Sequence, residues 1–265
     1  ADRLLVTTTV WDTLYGVMAT DRDGARTVPI SGYEDERIQL QGGRLFAREV
    51  IHRSFDANGT VLMLDRHEGG PGSRHRPDVV QVDTRSGLAL TVVKNPGEVA
   101  HWGADFDGVV RFGLLTHGDL SGAIYRPDAK SDWQTILPLA NRRGHLRIVG
   151  FDAANSRILV AMLNPERRWA IYPLDPVTAR IGDALLSDPV YDIVPDRGIT
   201  GAGGVELVGA VFSRRKQALA GVRHYAESLR VKWLDPEYAA LQVAVDRALP
   251  DTVNLLVDES LDGQQ

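Results

Sequence analysis

Asp78-Val79-Val80-Gln81-Val82-Asp83-Thr84-Arg85-Ser86-Gly87-Leu88-Ala89-Leu90-Thr91-Val92-Val93 decides how this chain folds. Two short apolar runs, rich in β-branched residues, flank a cluster of turn formers. Asp and Ser bond their own backbone and Gly accepts φ > 0, so the cluster closes a hairpin cheaply. Neither run is long enough for a helix, and neither shows a 3.6-residue period.

The same grammar extends in both directions. Apolar runs at Arg3–Val10, Val61–Leu64, Val109–Leu115, Ile158–Leu163 and Val205–Phe212 alternate with Asp/Gly/Asn clusters such as Asp21–Gly24, Asp56–Gly59 and Asp105–Gly108. The order also repeats: a strand, then a strand ending in an Asp-containing turn, then a short strand rich in Thr, Val or Ile. Tyr15–Asp23 with Ala25–Ile30, Asp78–Gly87 with Leu88–Val93, Ala123–Asp132 with Trp133–Leu137, and Trp169–Arg180 with Ile181–Leu186 are the instances. The last three turns recur about every 45 residues, the period of a four-stranded propeller blade.

This pattern predicts an all-β chain: a partial β-propeller of about five blade units of four-stranded antiparallel sheets. The expected blades are 1–43, 44–97, 98–140, 145–190 and 198–265, in one propeller region spanning 1–265. A lone four-stranded sheet cannot cover both its faces; radial stacking does so and leaves only short edges. Continuously apolar strands such as Ile158–Leu163 then follow from burial on both sides. A β-sandwich also uses many short strands, but the repeated strand order favours the propeller. An open propeller would expose apolar blade faces, so self-association is expected.

One short helix is predicted near the end. Asp235 is an N-cap, Pro236 suits the first helical position and Glu237 favours the positive N-terminus. Leu241, Val245 and Leu249 share one face, which predicts a helix laid across a blade edge or linking two blades. Pro250 marks the stop.

Composition narrows the function. The chain has 265 residues, 43% apolar and 25% charged, with a net charge of −5. These are ordinary values for a globular protein, and the charge argues against a nucleic-acid surface. With no cysteine, disulfides, thiolate metal sites and a cysteine nucleophile are excluded. No apolar run reaches the roughly 20 residues of a membrane helix. The compartment stays open between bacterial cytoplasm, periplasm and secretion; a soluble protein is expected.

No catalytic residue is identified. None of the serines sits in G-x-S-x-G, the strained elbow of α/β-hydrolases. Gly118-Asp119-Leu120-Ser121-Gly122 has the wrong spacing and reads as a hairpin. The seven histidines form no H-x-x-x-H pair on a helix, and no metal or cofactor is expected. Asp21-x-Asp23-Gly24 and Asp105-x-Asp107-Gly108 lack the remaining ligands of a calcium loop. Gly201-Ala202-Gly203-Gly204 follows no strand and opens no helix, so it is no nucleotide fingerprint. The five Trp residues read as core packing. One loop is the candidate binding site: Arg66, His67, Arg74, His75 and Arg76 around Glu68–Ser73, where the arginines could pair with a carboxylate or a partner domain. Its plainer reading is a solvated loop.

Three stretches carry a resemblance. They are Arg76–Gly87 with Asn95–Val99, Trp102 and Asp105–Arg111; Asp188–Asp192; and Val231–Glu237 with Leu241-Gln242, Asp246 and Ala248–Pro250. In these the chain resembles the β-propeller region of prolyl oligopeptidase family (S9) serine peptidases. The resemblance implies a C-terminal α/β-hydrolase domain as partner, carrying the catalytic residues, and a propeller that limits access of peptide substrates. No catalytic residue of that family maps onto this chain. The implied role is an accessory propeller segment, restricting access and docking on the hydrolase domain. The alternatives are an independent propeller that binds a protein or small ligand, and a propeller enzyme with clustered metal ligands or paired carboxylates.

Overall fold

The computed structural model describes residues 3–10, 13–33, 45–53, 59–66, 76–141, 146–193, 209–256 and 259. The chain is all-β, of the propeller class, with one α-helix among the described residues. Its two compact units are Ala1–Ala140 and Asn141–Gln265.

In the first unit, β1 (Arg3–Val10), β2 (Thr13–Asp21) and β3 (Thr27–Tyr33) form one antiparallel group. β4 (Leu45–Arg53), β5 (Thr60–Arg66), β6 (Asp78–Asp83) and β7 (Ala89–Val93) form a second. Hydrogen bonding runs unbroken from β1 to β7. The link between β3 and β4 is only two residue pairs, Gly32↔Phe46 and Tyr33↔Leu45, so these are two blades joined at a corner. β8 (Val99–Ala104), β9 (Val110–His117), β10 (Leu120–Tyr125) and β11 (Gln134–Ala140) make the third blade, ordered as a simple meander.

The alternation of side chains along β5 and β6 shows why these strands are apolar throughout. Val61, Met63, Val80 and Val82 pack on one side with Val17, Ala19 and Ile30 of the first blade. Leu62, Leu64 and Val79 pack on the other with Val99, Trp102, Val110 and Ile124 of the third. The middle blade is buried on both faces, as the period of two requires.

In the second unit, β12 (Arg147–Phe151), β13 (Ile158–Leu163), β14 (Trp169–Asp175) and β15 (Arg180–Ile181) form one sheet, and β16 (Gly209–Ser213), β17 (Ala218–Tyr225) and β18 (Leu229–Trp233) another. Leu159 and Ile171 of the former, with Leu186 and Ile193 of the segment that follows it, pack on Val222 of the latter. The first and last groups have three described strands each rather than the expected four. Residues 205–208 of the expected Val205–Phe212 strand, and Gly201–Gly204, lie outside the described residues.

The helix α1 (Pro236–Ala248) starts where the sequence predicts. Asp235 caps it, its side chain accepting from Glu237 N at 2.9 Å. Its apolar face is only partly covered: Leu241 and Leu249 are 48% and 53% exposed, Val245 is half-buried, and Tyr238 is the buried residue. Anchoring comes from the first turn instead. Tyr238 stacks on Trp233 with ring centroids 5.4 Å apart, and Lys216 bonds Asp235 at 2.6 Å and Glu237 at 2.8 Å. No helix of the described residues is long and apolar enough to cross a membrane.

Candidate functional site

The candidate loop is only partly described. Arg66 closes β5, its backbone opposite Ala47; His67, Arg74 and His75 lie outside the described residues. Arg76 is described. It leads into β6 and donates from Nη2 to Glu98 Oε1 at 3.2 Å. The same carboxylate oxygen lies 3.5 Å from His117 Nδ1. Arg76 and Glu98 are both partly exposed, and an ion pair of that kind contributes little stability, about 0–1 kcal/mol. Such a pair is easily exchanged for another partner.

Beneath it lies a rigid polar network, built by the stretches that carry the resemblance. Asn95 is its hub. Its amide donates to Pro77 O at 3.0 Å and Val99 O at 2.8 Å, and its carbonyl accepts from Gly97 N at 2.9 Å. Its own N–H donates to Asp78 Oδ1 at 2.8 Å. Asp78 Oδ2 takes Lys94 Nζ at 2.7 Å, and this bond raises the Lys94 pKa. The buried indole N–H of Trp102 also donates to Pro77 O, at 2.8 Å. The β7–β8 connection is thereby bound to the start of β6, and Glu98 is held at the loop end beside Arg76. Buried polar groups in this network are satisfied from several strands, the condition under which such networks specify one geometry.

The other two stretches also meet. Lys232 of β18 donates to Ser187 O at 2.6 Å and to Asp188 Oδ2 at 3.4 Å. Asp188 spends its other oxygen on Val190 N and Tyr191 N. Those two backbone bonds, countered in part by burial and helped by Lys232, lower the Asp188 pKa. Asp192 accepts from Trp169 N at 2.8 Å. These bonds tie the connection at 187–192 to β14 and β18.

The turn readings of the acidic clusters hold. Asp105 Oδ1 accepts from Asp107 N and Val109 N, and Oδ2 takes Arg111 at 3.1 Å. Asp23 accepts from Ala25 N and Asp21 from Arg3. Gly118 has φ 58° in the β9–β10 turn, which is the hairpin expected for Gly118–Gly122.

A cluster that sequence reasoning missed sits where β16 turns into β17. The Tyr238 hydroxyl donates to Glu259 Oε2 in a short bond, and its oxygen lies 2.8 Å from Ser213 Oγ. Ser213 Oγ donates to Glu259 Oε1 at 2.8 Å. Three residues from a strand end, a helix and a distant segment meet here, and no local motif joins them in the sequence.

No protein-family model and no curated protein matches the chain. Among solved structures it is similar to TolB from Acinetobacter baumannii, at 11% identity and TM-score 0.43, over 88% of this chain and 52% of that one. It is also similar to an oligogalacturonate lyase in complex with manganese, at 11% identity and TM-score 0.47, over 82% and 52%. A third is the S511A mutant of a puromycin hydrolase, at 16% identity and TM-score 0.36, over 74% and 29%. The chain spans about half the length of the first two and less than a third of the last.

Proposed function

We propose that this chain is the accessory propeller of a prolyl oligopeptidase-like serine peptidase, limiting which peptides reach a partner α/β-hydrolase domain and docking on that domain. Two things support the reading: the three resembling stretches, and the surface of α1. Leu241 and Leu249, on one side of the helix, are 48% and 53% exposed although its first turn is firmly anchored. This side of the helix is the observation that carries the docking half, because an apolar stripe on a fixed helix offers a face for a partner to cover. The loop end bearing Arg76, Glu98 and His117 is suited to greet a peptide's charged groups. Arg66, His67, Arg74 and His75 belong to the same proposed binding loop. Co-purification of this chain with a separately produced hydrolase domain tests the docking: retention is expected, and its loss in Leu241→Asp/Leu249→Asp.

A second reading, an independent binding propeller, is favoured by a different observation. Leu88, Leu90 and Val92, on and beside the edge strand β7, are 75%, 67% and 40% exposed, an apolar ladder to which a partner's strand could add. A capture experiment in which the chain alone retains a partner, and Leu90→Lys does not, would favour it.

A further inference from the structure

We propose that Ser213 Oγ, Tyr238 OH and the backbone N–H groups of Arg214 and Arg215 form a carboxylate-binding site, filled here by Glu259 and open to a free carboxylate once that side chain is withdrawn. The site goes beyond the accessory-propeller reading and does not depend on it.

Its donors converge. Glu259 Oε1 accepts from Ser213 Oγ at 2.8 Å and from Arg215 N at 3.4 Å. Oε2 accepts from the Tyr238 hydroxyl, and Arg214 N also bonds the carboxylate. An acceptor-only group with about four lone-pair directions is matched by four donors.

The donors are also held without help from Glu259. Ser213 is 1% exposed and Tyr238 5%. Ser213 Oγ accepts from Lys216 N at 3.1 Å and lies 2.8 Å from the Tyr238 hydroxyl oxygen. The Tyr238 ring is fixed against Trp233. Ser213 and Tyr238 come from a strand end and the first turn of α1, so the site is assembled by the fold, whereas Glu259 arrives from 46 and 21 residues away.

The charges flanking the site are engaged with one another, so its neutral donors carry the recognition. Arg215 and Lys216 stand beside it, engaged with Glu237 at 2.7 and 2.8 Å and, for Lys216, with Asp235 at 2.6 Å. Burial pushes the Glu259 carboxyl up, but the bonds from Tyr238, Ser213 and the two backbone amides outweigh it and hold the group below the usual glutamate range. The ligand class is a monocarboxylate: a free small acid, or the carboxyl group of a peptide. The hydroxyl and amide donors fit a planar carboxylate at close range.

The test uses the whole chain carrying Glu259→Ala, with acetate and formate as probes. The variant is expected to melt roughly 3–10 °C below the parent. Acetate or formate at millimolar concentration should recover most of that loss and bind with measurable heat. Chloride at matched ionic strength and acetamide should do neither, the parent chain should not respond, and adding Tyr238→Phe should abolish the recovery. Recovery no greater with acetate than with chloride or acetamide, or recovery that survives Tyr238→Phe, overturns the proposal. Should Glu259→Ala fail to fold, the parent decides by its Glu259 carboxyl ¹³C titration. A midpoint below the ordinary glutamate value is expected, and an ordinary midpoint overturns it.

Discussion

Asn95 illustrates what a single residue does in this protein. One side chain and its backbone N–H tie Pro77, Asp78, Gly97 and Val99 together. Asn95→Ala removes the acceptor of the Gly97 N–H and a donor to the Val99 carbonyl, while Pro77 O keeps Trp102, so a loss of about 1–3 kcal/mol is expected, read as a lower denaturant midpoint at unchanged slope. Arg76→Ala removes only an exposed ion pair and should change stability by less than about 1 kcal/mol, so any effect it has on peptide turnover would report on binding. A pH prediction belongs at this scale too. The Asp188, Asp235 and Glu259 carboxyls are all held low: Asp188 by backbone bonds, and Asp235 and Glu259 by hydrogen bonds that outweigh burial. A depressed folded-state pKa means that stability is complete above the unfolded value, near 4, and is lost as pH falls through the folded value. Thermal melts should therefore be flat from pH 7 to about 5 and fall progressively below about 4. A rise in stability on acidification would contradict these assignments. Asp turns were readable because Asp bonds its own backbone two residues on. The Ser213–Tyr238–Glu259 meeting was not, because tertiary contacts between residues 21 to 46 apart leave no periodic trace.

At the scale of elements, strand identity was legible wherever an apolar run met a turn cluster. Arg3–Val10 and Ile158–Leu163 coincide with β1 and β13. The helix was legible because capping is local chemistry; Asp235, Pro236 and Glu237 act within one turn. What covers the Leu241–Leu249 face was not legible, since an apolar stripe on a helix gives a direction and no partner. Close approach of elements yields a sharper prediction. A Cβ on Gly221 of β17 would lie 2.7 Å from Trp233 Cε3 and 2.9 Å from Lys232 O. The backbone cannot yield there, so Gly221→Ala should cost about 1–3 kcal/mol and disturb the Trp233–Tyr238 stack. Asp235→Ala should cost about 1 kcal/mol through loss of the N-cap, while Leu241→Ser should stay within about 0.5 kcal/mol because the side chain is already exposed. The edge strand β7, with its exposed Leu88 and Leu90, should promote self-association. Light scattering at rising concentration should show it, and Leu90→Lys should reduce it. A monomer at all concentrations would remove β7 as an interface.

For the whole molecule, repetition is the property that carried furthest. The blade class follows from a strand order that recurs and from strands apolar on both faces, both visible in sequence. The three resembling stretches hold connections and blades in place: Asn95 and Trp102 in the first unit, Lys232 and Asp188 in the second. Their chemistry is that of a scaffold, and the proposal assigns gating and docking to it. Peptidase activity decides whether this is an accessory propeller. This chain and the longer gene product that the proposal requires would be assayed side by side on chromogenic dipeptide and prolyl substrates. Activity is expected only in the longer product, abolished by a serine-directed inhibitor. Activity in this chain alone, or silence in both, would contradict the accessory role.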